Sequence, residues 1–89
     1  MDISRWQTFS KHDQLLHIGA EILRAAAYQK QDQKKFKFFL SRAIELTELT
    51  DQDPKWRNFV ISPSTIKSEL EKFHRGEKTE SIKIIYQAL

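Results

Sequence analysis

Two residue pairs in this chain have spacings that could hold a metal. Glu71 and His74 stand three apart, so a helix would project both from one face, as the carboxylate–imidazole pairs of di-iron bundles do. His17 and Glu21 stand four apart, with the same consequence. A complete di-iron set needs two Glu-x-x-His pairs and two further Glu. Here there is one such pair, and His74 would fall in a last helical turn, where a cation complements the helix dipole. Two charged pairs have a different use. Glu21 and Arg24 are three apart, as are Arg42 and Glu45. On two antiparallel helices they would meet near mid-helix as a polar clasp. Carboxylates so paired with arginine make poor proton donors, which favours a structural role. There is no glycine-rich phosphate loop, no nucleophile elbow and no Cys–His pair.

The clasp depends on the elements that carry it. From Ser10 to Thr50 apolar and polar residues alternate at helical spacing, interrupted at Gln29–Gln33. This predicts an antiparallel helical hairpin over 10–50. Ser10 reads as an N-cap with Asp13 favouring the first turn. The first helix, Lys11 to Gln29, would bury Leu15, Ile18, Ile22 and Ala26, with Leu16, Gly19 and Leu23 alongside. Gly19 costs roughly 1 kcal/mol in a helix interior; its compensation would be close approach of a neighbouring helix. Asp32 caps the second helix, Gln33 to Leu49, whose apolar face is Phe36, Phe39, Leu40, Ala43, Ile44, Leu46 and Leu49, with Phe38 beside it.

Residues 1–9, with Ile3, Trp6 and Phe9 three apart, read as a short helical turn or an arm that lies on the bundle, and residues 54–89 supply further helices. Pro54 ends the hairpin, and Pro54–Val60 has room for helical turns bearing Trp56, Phe59 and Val60. Ser62-Pro63 marks a helix start. That helix runs to His74, burying Ile66, Leu70 and Phe73, and stops at a left-handed Gly76. A last helix starts at Thr79, with Ile82, Ile85, Tyr86 and Leu89 on one side and Ile84 on the other. The expectation is a single all-α domain over 1–89, a compact bundle of about four helices built on the hairpin.

Composition narrows the function. Eighty-nine residues make one domain with a thin stability margin. No cysteine is present, so neither a disulfide nor a thiolate metal site staples the fold. No apolar run approaches a membrane span and residues 1–10 lack a secretory pattern, which makes the cytoplasm the expected compartment. The net charge of +3 is mild. Lys30, Lys34, Lys35 and Lys37 cluster near a helix start and offer a nucleic-acid contact, each phosphate adding salt-dependent affinity. No helix-turn-helix spacing accompanies them.

Several strings resemble known families. Arg5 and His12 have the Arg-x(4–6)-His spacing of the HEPN ribonucleases, but Trp6 follows the Arg where that family has a polar residue. Ser41 to Leu46, then Asp53-Pro54, resembles the end of a tetratricopeptide repeat. The distance from Gly19 to Ala43 is too long for it, and no second copy follows. The string Ile18-Gly19-Ala20-Glu21-x-x-Arg24-Ala25, then Arg42-Ala43-Ile44-Glu45-Leu46-x-Glu48-Leu49-Thr50-x-x-Asp53, resembles a group of small prokaryotic helical proteins. In that group an "IG-x-E-x-x-RA" helix precedes an "RALEL-x-DLT-x-x-D" helix. The resemblance spans roughly Trp6 to Trp56 and departs at Lys67–Glu71, where the group has an arginine-rich helix. It implies no activity, but it implies that Gly19, Glu21, Arg24, Arg42 and Glu45 form one shared feature.

The chain carries six Phe, two Trp and two Tyr, more than a narrow bundle hides. Trp6, Phe38, Trp56 and Ile84 look hardest to bury in one copy and are the candidate interface. The expected function is therefore a non-enzymatic protein–protein interaction module, homodimeric in its simplest form, with no cofactor and no small-molecule substrate. Nucleic-acid association through the lysines is the first alternative. A HEPN-like ribonuclease or metal-binding bundle is the second.

Overall fold

The computed structural model describes residues 2–57 and 62–89. Among them every regular element is helical, in the order α1 (Ile3–Trp6), α2 (Lys11–Tyr28), α3 (Gln33–Asp51), a 3-10 turn (Pro54–Trp56), α4 (Pro63–His74) and α5 (Lys83–Ala88). None of these helices is long and apolar enough to cross a membrane.

Local chemistry sets the boundaries. The Ser10 hydroxyl accepts a hydrogen bond from the Asp13 amide at 3.1 Å, and the Asp32 carboxylate accepts one from the Lys35 amide at 3.1 Å. These side chains satisfy amides that a first turn leaves without partners. Between them, the amides of Gln31 and Asp32 both return to the Tyr28 carbonyl, closing the hairpin in one tight turn. Ser62 precedes Pro63 at the start of α4, but its hydroxyl pairs with Ser64 rather than capping an amide. At the other end Gly76, with φ of 79°, ends α4. Its amide bonds the Phe73 carbonyl and the Glu77 amide bonds the Lys72 carbonyl, the Schellman pairing.

Helices α2 and α3 pack along their lengths as the expected hairpin; α4 lies against α3, and α5 against α2. In space the order is α5–α2–α3–α4, with α4 and α5 also in contact. The shared core comprises Ile18, Ile22 and Ala25 of α2, Phe36, Leu40 and Ala43 of α3, Ile66, Leu70 and Phe73 of α4, Ile85 of α5 with Ile82 just before it, and Trp6 of α1.

Three expectations need correction. The buried stripe of α2 is Gln14, Ile18, Gly19, Glu21, Ile22 and Ala25; Leu15 and Ala26 lie only half-buried at its edge, while Leu16 and Leu23 are exposed. The stripe is turned because two polar residues, Gln14 and Glu21, have partners waiting inside. For the same reason α3 buries Thr47 and Thr50, each hydroxyl donating to a carbonyl of its own helix, and leaves Leu46 and Leu49 at the margin. Finally, α5 begins at Lys83, not Thr79. The Gln29 side chain of α2 captures this approach, its amide donating to the Glu80 carbonyl at 2.7 Å and its oxygen accepting from the Ile82 amide at 2.8 Å. Of the aromatic turn expected over Pro54–Val60, Trp56 ends the 3-10 turn; Phe59 and Val60 lie outside the described residues.

Candidate functional site

Polar contacts fasten the hairpin at both ends and in the middle, and the middle one opens to solvent. At the end where α2 starts and α3 stops, Gln14 is fully buried. Its amide nitrogen donates to the Trp6 carbonyl and to Asp53 Oδ2, both at 2.9 Å, and its oxygen accepts from Trp56 Nε1 at 2.6 Å. Trp6 Nε1 donates to Thr50 Oγ1 at 2.9 Å. Lys55 completes the group, its Nζ reaching Asp53 Oδ2 at 2.5 Å and the Gln7 carbonyl at 3.1 Å. Burial alone would push the Asp53 carboxyl up, but the hydrogen bonds from Lys55 and Gln14 outweigh it and hold its pKa below the ordinary carboxylate value.

This network overturns half of the candidate interface. Trp6 is 0% exposed and Trp56 5%, because each indole N–H finds an acceptor inside the molecule. Phe38 and Ile84 remain at the surface, 56% and 55% exposed, but on different parts of it. Phe38 stands beside the middle fastening, whereas Ile84 lines an apolar groove between α4 and α5 with Ile66, Ile85 and Leu89.

The middle fastening is the expected clasp in altered form. Glu21 is buried, its side chain only 7% exposed. Oε1 accepts from Arg24 Nη1 at 2.7 Å. Oε2 faces Arg42 Nε of the neighbouring helix at 3.3 Å, too poorly aligned for a hydrogen bond, and it has no hydrogen-bond partner among the described residues. Both arginine side chains are more than half exposed. The clasp thus has one carboxylate holding two guanidinium groups. Glu45 stands at its rim without an ion pair among the described residues, lining a cleft of about 470 Å³ with His17, Ala20, Phe38 and Leu46. The Arg42 guanidinium lies 5.8 Å from the Phe38 ring centroid. Gly19 is not part of this feature: it lies two residues from Glu21, on another face, where a Cβ would meet Tyr86 Cε2 of α5 at 3.0 Å.

The two pairs read as metal-ligand candidates do not meet: His17 and Glu21 line the α2–α3 cleft, whereas Glu71 and His74 line a separate one with Ser41 and Glu45. His17 packs its ring against Trp6 and Phe9, at 5.8 and 5.0 Å between centroids. His74 Nε2 is 3.2 Å from Ser41 Oγ, across the α3–α4 contact, while Glu21 is engaged by the arginines. Among the described residues no group of three or more His, Asp or Glu side chains could hold a metal ion. Arg5 is exposed on α1 and His12 lines a groove between α2 and α5 that does not include Arg5. Lys30, Lys34, Lys35 and Lys37 are all exposed. At about 100° per residue, the three on α3 spread over about 160° of its circumference, and Lys35 Nζ sits over the Tyr28 ring.

Sequence reasoning missed the buried network. Gln14 was visible only as a polar residue near a helix start, and Asp53 only as a helix-stop residue closing the string that begins at Arg42. Asp53 and Trp56, the side chains that Gln14 binds, lie 39 and 42 residues from it. Comparison with family models, curated proteins and solved structures finds no match.

Proposed function

We propose that this protein is a non-enzymatic helical module that works by binding protein, in the first instance a second copy of itself, through the outward face of α2. One observation carries the reading. The large apolar side chains exposed among the described residues are Leu16, Leu23, Phe38, Ile84 and Tyr86, and all but Ile84 border that face. Leu16 shares a groove with Tyr86, and Ala20 shares the cleft with Phe38.

The pattern along the face favours self-association. Leu16, Ala20, Leu23 and Ala27 follow one another at spacings of four, three and four, the repeat that keeps a seam on one side of a helix. Against an antiparallel copy related by a twofold axis, Leu16 would face Ala27 and Ala20 would face Leu23. Every large residue then meets a small one, so the seam complements itself, as an isologous contact requires. A nucleic-acid role has weaker support, since the lysines are spread around α3 instead of forming one stripe.

Sedimentation equilibrium is the test. The wild-type chain is expected to dimerise in the micromolar range. Leu16→Glu with Leu23→Glu is expected to give a monomer of unchanged helical content, because both positions are exposed. A wild-type chain that stays monomeric at several hundred micromolar overturns the proposal.

A further inference from the structure

From the middle fastening of the hairpin we infer that the cleft between α2 and α3 is a receptor for a small organic carboxylate, with Arg24 and Arg42 as its two prongs. Two like charges do not gather on facing helices without cause. Here the cause is Glu21, buried between them and anchored through Arg24 Nη1 and toward Arg42 Nε. Each guanidinium carries five N–H donors in a rigid fork. Glu21 engages one donor of Arg24 and approaches one of Arg42, so the outward edges of both groups remain available, and both side chains are more than half exposed. Holding the arginines through a buried partner removes much of the rotamer entropy that a ligand would otherwise have to overcome.

The rest of the cleft selects the ligand. Phe38, Ala20 and Leu46 provide an apolar wall beside the arginines, and the cleft volume of about 470 Å³ falls within the span usual for small-ligand sites. The ligand should therefore have an apolar or aromatic body as well as an oxyanion. Glu21 and Glu45 bring the local sum of charges to zero. Binding then rests on hydrogen bonds from the guanidinium N–H groups and not on net charge, and a dianionic phosphate is penalised more than a singly charged carboxylate. Among the described residues the α4–α5 groove has no such pair of cations on facing helices, and the Lys78 that lines it is already held by Glu69 at 2.7 Å.

The experiment is a titration of the 89-residue chain with phenylacetate, acetate and phenyl phosphate, followed by amide and arginine side-chain NMR shifts. Phenylacetate is expected to bind best, with the largest shifts at Arg24 and Arg42. Arg24→Gln and Arg42→Gln should each weaken it roughly tenfold or more. Arg42→Lys should fall between, because it keeps the charge and loses the fork. Phe38→Ala should lower phenylacetate binding toward that of acetate, and Glu45→Gln should strengthen it. Repeating the titration on Leu16→Glu/Leu23→Glu separates this inference from self-association, since carboxylate binding is expected to survive in the monomer. Tighter binding of phenyl phosphate, equal binding by the arginine variants, or shifts confined to the lysines of α3 would overturn the assignment.

Discussion

Gln14 illustrates how much one side chain can hold. Its amide has two acceptors and its oxygen one donor, all within 2.9 Å and all buried. A net hydrogen bond is worth about 1 kcal/mol, and stranding a buried partner costs more. Gln14→Leu, nearly the same in size, should therefore destabilise the fold by about 3 kcal/mol, read as a lower urea midpoint with an unchanged slope. The charge at Glu21 has an equally local logic, since a buried carboxylate is tolerable only when cations face it. At this scale the sequence was half legible. The spacing of Glu21, Arg24 and Arg42 announced the clasp, because the three lie on facing helices at matching heights. Gln14 gave no local signal, because its partners are distant in the chain.

At the scale of elements, the starts of α2, α3 and α4 were legible nearly to the residue, while α5 starts four residues later than the sequence suggested. Ser10, Asp32, Pro63 and Gly76 mark boundaries through chemistry that acts within a few residues. Rotation of a helix about its own axis is different. It depends on what lies opposite, so the buried faces of α2 and α3 were misjudged wherever a polar side chain faced inward. Gly19 shows the two effects together. It was read as a place of close approach, and α5 is the element that approaches. Adding a methyl there should gain about 1 kcal/mol of helix propensity, offset by contact with Tyr86 at 3.0 Å. Gly19→Ala alone is expected to be close to neutral. In a Tyr86→Ala background the ring is gone, and the same change should stabilise by up to about 1 kcal/mol. A double-mutant cycle of thermal unfolding measures the difference, and additive single effects would argue against the contact.

For the whole molecule, acidity is the informative variable. The Asp53 carboxyl titrates lower in the folded chain than in the unfolded one, so the unfolded state takes up its proton first as pH falls. The stability from this group is present in full above the unfolded value, near 4, and is lost as pH drops through the folded value. Unfolding midpoints in urea should hold steady from pH 7 to 5 and decline below about 4. Asp53→Asn should flatten that decline while lowering stability at neutral pH; an unaltered acid limb would assign the effect to other carboxylates.

The buried network also has an optical consequence. Both tryptophans of the chain sit inside it, at the end of the hairpin remote from the Gln29 anchor of α5. Intrinsic fluorescence therefore watches one pole of the molecule, while circular dichroism averages over all of it. If α5 peels away before the hairpin melts, ellipticity will change while the indole emission stays dark to the event.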